Sequence, residues 1–185
     1  MPPRLHLLTK AYRLRTEASH SASVQPDSER LLRIAAERAA EYIKVSGNPK
    51  LGEPIFQRTC AVCHSLGGKG GNIGPQLDGI GNRGLERLCE DVLNPSRNVD
   101  PVFRQTAIVL KDGDLLNGLV RREEGERLVL VDATGKEVGI PKSSVESRNE
   151  LETSLMPDNF AEAISTDEFR HLMAFLLSQR TPLPR

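Results

Sequence analysis

The stretch C60-A-V-C-H64 is the motif of this 185-residue chain that carries the most information about its fold. Two cysteines three positions apart can form thioethers with the two vinyl groups of one haem, and a histidine directly after the second cysteine can ligate the iron. The motif therefore favours covalently attached haem, with Cys60 and Cys63 as the attachment sites and His64 as an axial ligand.

Two other chemistries use closely spaced cysteines. A structural zinc site needs about four ligands, but the one further cysteine is Cys89, on the apolar face of a predicted helix, and no paired histidines follow. A thioredoxin-like dithiol is expected within a βαβ unit, whereas this motif follows a predicted helix. Zinc binding and dithiol chemistry are the weaker alternatives, and Cys89 is predicted to be a core residue.

A second axial ligand would have to come from a methionine or from another histidine. The candidates are Met1, His6, His20, Met156, His171 and Met173. The first three lie in a polar N-terminal tail, and the last two lie on the final predicted helix, where a methionine is more often a core residue. Pro157 biases Met156 towards an extended backbone, from which its side chain can lie over a flat ring. The sequence therefore favours Met156.

Helical periodicity lies on both sides of a segment that favours β-structure. Apolar residues recur at helical spacing over residues 27–45, 85–93 and about 165–177. Between residues 102 and 147, short runs rich in Val, Ile and Leu are separated by Asp-Gly, Glu-Gly and Thr-Gly turn signals, which is the pattern of a hairpin meander. The sequence predicts a mainly α fold with a small antiparallel meander or barrel inserted before the final helix.

Charge and composition exclude several classes of partner. The chain has 25 basic and 25 acidic side chains and no net charge, whereas binding of nucleic acid phosphates requires a basic excess. No apolar run approaches the roughly 20 residues that span a bilayer, so no membrane-spanning segment is predicted. The N-terminus lacks the apolar core of a secretory signal. Aromatic residues make up 4% of the chain and Trp is absent, so an apolar cofactor could complete a core with few large rings.

Longer motifs resemble those of the class I cytochrome c fold and, more narrowly, those of the planctomycete-type haem-binding domain. The matching segments are G52-E-P-I-F56, C60-A-V-C-H64, G74-P-Q-L-D-G-I-G-N-R83, N94-P-S-R-N-V-D100, K111-D-G113 and S154-L-M-P-D-N159. The resemblance implies a haem domain formed by residues 48–100 and 151–180, with an inserted β-subdomain at residues 101–150. A leading helix at residues 27–47 and a flexible tail at residues 1–26 would precede it.

The resemblance also implies how one haem c would be held. Cys60 and Cys63 would bind it covalently, His64 would be the proximal ligand and Met156 the distal ligand. The carbonyl of Pro75 would accept a hydrogen bond from the free ring N–H of His64, which fixes the ring orientation and raises the basicity of the ligand.

Further residues in the matching segments would line the same site. The resemblance implies that Leu77 and Ile80 pack on the haem ring and that Arg83 meets a propionate. Gly52 and Phe56 would form the contact between the first helix of the haem domain and the last, where a glycine lets the two helices approach closely.

The function implied by the resemblance is transfer of single electrons, because an iron with His and Met ligands has no open coordination site. The electron would pass to a redox partner protein or a fused dehydrogenase domain, so the chain would be an electron-transfer protein and not itself an enzyme. Because bacteria attach haem c outside the cytoplasm, the location would be periplasmic or otherwise exported. Two alternatives remain open: a haem enzyme or gas sensor with a displaceable Met156, and a docking module centred on the β-insertion.

Overall fold

The computed structural model describes residues 24–181, and the helices of this part of the chain lie before and after one β-rich segment. The α-helices are α1 Val24–Lys44, α2 Pro49–Thr59, α3 Leu85–Leu93, α4 Phe160–Ala163 and α5 Thr166–Ser178. Between residues 24 and 181, no helix is long and apolar enough to cross a membrane. The predicted tail at residues 1–26 falls mostly outside the described residues, and its last three residues belong to α1.

Helix α1 packs against α3 through a narrow face. Leu31, Ala35 and Ala39 are buried at intervals of four residues, which places them on one side of the helix. The amide of Asn94, directly after α3, donates to the carbonyl and the hydroxyl oxygen of Ser28. The small alanine side chains thus allow close packing, and Asn94 fixes the start of the contact.

Helices α2 and α5 cross at Gly52. A Cβ atom at this position would lie 2.0 Å from the carbonyl oxygen of His171, so only glycine permits this approach. One turn further on, the rings of Phe56 and Phe175 lie with their centroids 5.4 Å apart, within the range of favourable aromatic pairs. The crossing joins the helix that leads into the CxxCH motif to the last helix of the described chain.

Helix α5 begins with a capping box. The Ser165 hydroxyl accepts a hydrogen bond from the Glu168 backbone N–H, and the Glu168 carboxylate accepts one from the Ser165 N–H. The same carboxylate pairs with Arg58 of α2 at 2.5 Å, and these contacts lower the pKa of Glu168, chiefly through the bond from the Ser165 backbone.

Loss of this cap should weaken the fold without removing any core contact. We expect Ser165→Ala to lower the free energy of unfolding by about 1 kcal/mol, the usual value of an N-cap side chain. Urea unfolding followed by circular dichroism measures the change. Ser165→Asp provides the control because it retains a capping oxygen, and an equal loss in both variants would argue against the cap.

The β-rich segment forms one antiparallel sheet. Its strands are β3 Arg104–Leu110, β4 Leu115–Glu124, β5 Arg127–Val131, β6 Glu137–Pro141 and β7 Val145–Ser154, and they pair in the order β6-β5-β4-β3-β7. A separate short hairpin, β1 Ser65–Leu66 and β2 Lys69–Gly70, follows the CxxCH motif. Within the described residues no pairing joins β6 to β7, so the sheet is an open meander with a returning fifth strand and not a closed barrel.

The expectation of a mainly α fold is wrong, because 42% of the structure is helical and 26% is strand. The sheet exceeds its sequence signal because β4 and β7 each run for ten residues. β7 is largely polar and has no buried residue, so its strand form depends on pairing with β3 and not on a hydrophobic pattern of its own. It also extends to Ser154, beyond the predicted end of the insertion at residue 150.

Three apolar clusters hold these elements together. The helical cluster lies among the α-helices and includes Phe56, Cys60, Leu88, Leu93, Phe169, Leu172 and Met173. The sheet cluster comprises Ile108, Leu128, Leu130 and Ile140. The joining cluster comprises Ile73, Leu119 and Val131, with Cys63, Phe103 and Leu155 packed against it. The joining cluster attaches the sheet to the loop that follows the CxxCH motif.

Candidate functional site

His64 is held in one orientation by the loop opposite its ring. The side chain is buried, and its Nδ1 lies 2.8 Å from the carbonyl oxygen of Pro75. Because a carbonyl can only accept, Nδ1 carries the proton and donates it, and Nε2 retains a free lone pair. No residue between 24 and 181 hydrogen-bonds to Nε2. Burial lowers the pKa of His64, which the bond to Pro75 offsets in part, so the imidazole is neutral at neutral pH and can ligate a metal.

Gly74 makes room for this imidazole. A Cβ atom at residue 74 would lie 2.6 Å from Cε1 of His64, closer than any real contact between carbon atoms. The G74-P75 pair therefore has two functions that follow from its chemistry: the glycine lets the backbone lie against the ring, and the proline carbonyl fixes the ring's rotation.

The two cysteines of the motif face different clusters. Cys60 directly follows α2, is buried and belongs to the helical cluster, whereas Cys63 is half-buried and packs against the joining cluster. Burial raises the pKa of both thiols, and a contact with Thr59 lowers that of Cys60 in part. A reactive redox dithiol needs a lowered pKa, so these thiols lack the property that the dithiol alternative requires.

The alternative of a zinc site lacks the further ligands that it would require. Within residues 24–181, no group of three or more His, Cys, Asp or Glu side chains is arranged to hold a metal ion. Cys89 is fully buried in α3, where burial raises its pKa to about 12, as suits a core residue.

Met156, the favoured distal ligand, lies in the loop between β7 and α4. Its half-buried side chain packs against the helical cluster, to which Cys60 also belongs. Met173 is completely buried within the same cluster, and His171 accepts a hydrogen bond from the backbone N–H of Asn48 through Nδ1 at 3.0 Å. The remaining three candidates, Met1, His6 and His20, lie outside the described residues.

Leu77 and Ile80 contact the helical cluster, whereas Arg83 has a partner that the sequence did not reveal. Leu77 and Ile80 are half-buried and pack against the helical cluster, as Met156 does. Nε of Arg83 lies 2.9 Å from a carboxylate oxygen of Asp91 in α3. Burial raises the pKa of Asp91, against the lowering effect of Arg83, so this ion pair is partly desolvated.

Three residues to which the sequence assigned no role brace the loops that carry Met156 and Pro75. Gln105 and Ser96 hydrogen-bond to Ser154, two residues before Met156, and Arg121 hydrogen-bonds to the carbonyl of Asn72, two residues before Gly74. Ser96 lies within the matching segment at residues 94–100, whereas Gln105 and Arg121 lie in no motif. The one local signal is the hydroxyl of Ser154 within S154-L-M156.

The residues present fit a covalently bound haem. The CxxCH motif supplies two thiols and a neutral imidazole with a free Nε2, and the Met156 thioether packs against the helical cluster that contains Cys60. These are the kinds of donor that a c-type haem site uses. This set of donors is typical of proteins that bind haem through a CxxCH motif.

Comparison with known families supports the same class. The family model described as Cytochrome c matches residues 49–100, which include α2, the CxxCH motif, Gly74, Pro75 and α3. This match supports a c-type cytochrome, with covalently bound haem and electron transfer as the properties of that family. No curated protein matches the chain.

Proposed function

We propose that the chain carries one covalent haem c with His64 and Met156 as axial ligands and that it transfers single electrons. The observation that carries this proposal is the orientation of His64. Its Nδ1 donates a hydrogen bond to the Pro75 carbonyl, so the lone pair of Nε2 remains available for a metal. The position of Met156 beside the helical cluster that contains Cys60 supports it as the second ligand.

Each residue of the site would have a distinct task. Cys60 and Cys63 would attach the haem, which supplies a one-electron redox couple when bound. Pro75 would orient His64 and raise its basicity as a ligand. Leu77 and Ile80 would pack on the haem ring and exclude water. Arg83, which already pairs with Asp91, would also pair with a haem propionate.

Met156 would affect both the reduction potential of the haem iron and its access to small molecules. A thioether ligand favours ferrous iron and raises the reduction potential. The Met156 thioether would also fill the last coordination position, so exogenous small molecules would have to displace it. This supports electron transfer over the alternative of a haem enzyme or gas sensor.

We propose a domain organisation that is consistent with this haem site. Residues 48–100 and 151–180 would form the haem domain of the planctomycete type, and residues 101–150 would be its inserted subdomain. The electron would be exchanged with a redox partner protein or with a dehydrogenase domain of the same polypeptide. Since domains of the cytochrome c family are typically exported, we propose a periplasmic or otherwise exported location.

Intact mass tests whether the haem is covalently bound. In a host that attaches haem c, we expect the purified chain to be heavier than the bare polypeptide by the mass of one haem. The double variant Cys60→Ala/Cys63→Ala should lose this increment because no thioether can form. Cys89→Ala is the matched control and should retain it. A wild-type chain with the mass of the bare polypeptide would overturn the proposal.

A further inference from the structure

Every polar group of Ser154 at the end of β7 is engaged. Its backbone N–H donates to the hydroxyl of Ser96 at 3.1 Å, and its carbonyl accepts from the side-chain amide of Gln105 at 2.6 Å. Its hydroxyl accepts the backbone N–H of Met156 at 3.1 Å. Ser96 follows α3, and Gln105 lies in β3. The backbone that carries Met156 is therefore fixed both to the helical part and to the sheet.

The side chains after Ser154 point to different clusters. Leu155 packs against the joining cluster, together with Phe103, whereas Met156 packs against the helical cluster. A rotation of this segment would exchange the two side chains and direct Met156 away from the helical cluster. The hydrogen bonds of Ser154 oppose that rotation, because they fix the residue from which the segment starts and the backbone N–H of Met156 itself.

The same sheet also contacts the loop that holds His64. Nη2 of Arg121 in β4 donates to the carbonyl of Asn72 at 2.5 Å, and Ile73 is buried against Leu119 and Val131. The next two residues of this loop are Gly74 and Pro75, which contact the His64 ring. One sheet thus contacts both loops that would supply or orient axial ligands.

We propose that the inserted sheet positions Met156, with Gln105 and Ser154 as the positioning residues. The proposal rests on the proposed function, since it requires Met156 to be a ligand. Arg121 holds the sheet against the loop that contacts His64, and Gln105 holds the Met156 loop against the same sheet. The sheet would thereby decide how readily Met156 leaves the iron.

Competition with imidazole measures this directly, because imidazole binds the ferric protein only after Met156 has left. We expect imidazole to bind about tenfold more tightly to Gln105→Leu and to Ser154→Ala than to the wild type, the effect of losing one hydrogen bond of ordinary strength. Ser154→Thr retains the hydroxyl acceptor and should restore the wild-type affinity. Ser96→Ala, which leaves Ser154 itself unchanged, provides a milder variant should Ser154→Ala fail to fold.

Arg148→Gln is the matched control. Arg148 lies in β7 as well, but its side chain pairs with Glu123 on the exposed part of the sheet, so its loss should leave the imidazole affinity unchanged. Variants at Gln105 and Ser154 that lose stability while binding imidazole as the wild type does would overturn the positioning role.

The ferric spectrum of the wild type separates the two possible failures. If the weak red absorption band of methionine-ligated haem is present but the variants bind imidazole normally, the positioning role is wrong and the proposed ligands stand. If that band is absent from the wild type, Met156 is not a ligand, and both the ligand assignment and the positioning role fall.

Discussion

Met156→Ala is expected to give a ferric holoprotein with high-spin absorption that binds imidazole roughly a hundredfold more tightly than the wild type. The wild type must first give up its thioether, and a difference of about 2.7 kcal/mol corresponds to this factor. The reduction potential should fall as well, because a thioether ligand favours ferrous iron. Absorption spectra, imidazole titration and a redox titration of the same preparation measure the three effects.

Met173→Leu is the control for this experiment. Met173 is completely buried in the helical cluster, and leucine has a similar volume, so the substitution should cost little stability and leave the spectrum unchanged. High-spin features or rapid binding of carbon monoxide in the wild type would contradict the prediction and favour the enzyme or sensor alternative.

Gly52→Ala is expected to lower the free energy of unfolding by about 3 kcal/mol, at the upper end of the cost of overpacking. The added methyl group would lie 2.0 Å from the carbonyl oxygen of His171 and 2.7 Å from Cβ of Phe175. Neither atom belongs to the flexible end of a side chain, so α2 and α5 would have to separate. Urea unfolding of the holoprotein measures the loss.

Gly125→Asn shows whether the effect at Gly52 depends on this contact. Gly125 has a φ of +54°, and a Cβ atom at this position would meet no atom within 4 Å. Asparagine tolerates this left-handed conformation, so the larger side chain should change the stability by less than about 1 kcal/mol. If Gly52→Ala were as mild as Gly125→Asn, the close crossing of α2 and α5 would be wrong.

The helical part of the fold could be predicted because its signals are local. Apolar periodicity predicts a helix over residues 85–93, and α3 covers the same residues. The turn signals predict the hairpins of the meander, since each needs only neighbouring residues. β7 has no such signal: most of its residues are polar, and its strand form comes from pairing with β3. That difference explains why the sequence predicts a mainly α fold.

The candidate site likewise has a part that can be predicted from local sequence and a part that depends on distant contacts. The Cys60, Cys63 and His64 triplet can be recognised from spacing, and the pairing of His64 with Pro75 follows from the resemblance to a known family. The bonds from Ser154 to Ser96 and Gln105 join residues separated by 58 and 49 positions. Sequence periodicity cannot predict contacts between residues so far apart in the chain, so only the structure reveals these hydrogen bonds.

The pairing of Arg104 with Ser154 has a consequence for how freely the inserted segment can vary. The first residue of β3 and the last residue of β7 are cross-strand neighbours, so the chain leaves the helical part and returns to it at almost the same point. Length added to or removed from the intervening hairpins leaves this separation unchanged, because the closing pair sets it. The helical part is therefore insensitive to the size of the segment it hosts, provided that β3 and β7 remain paired.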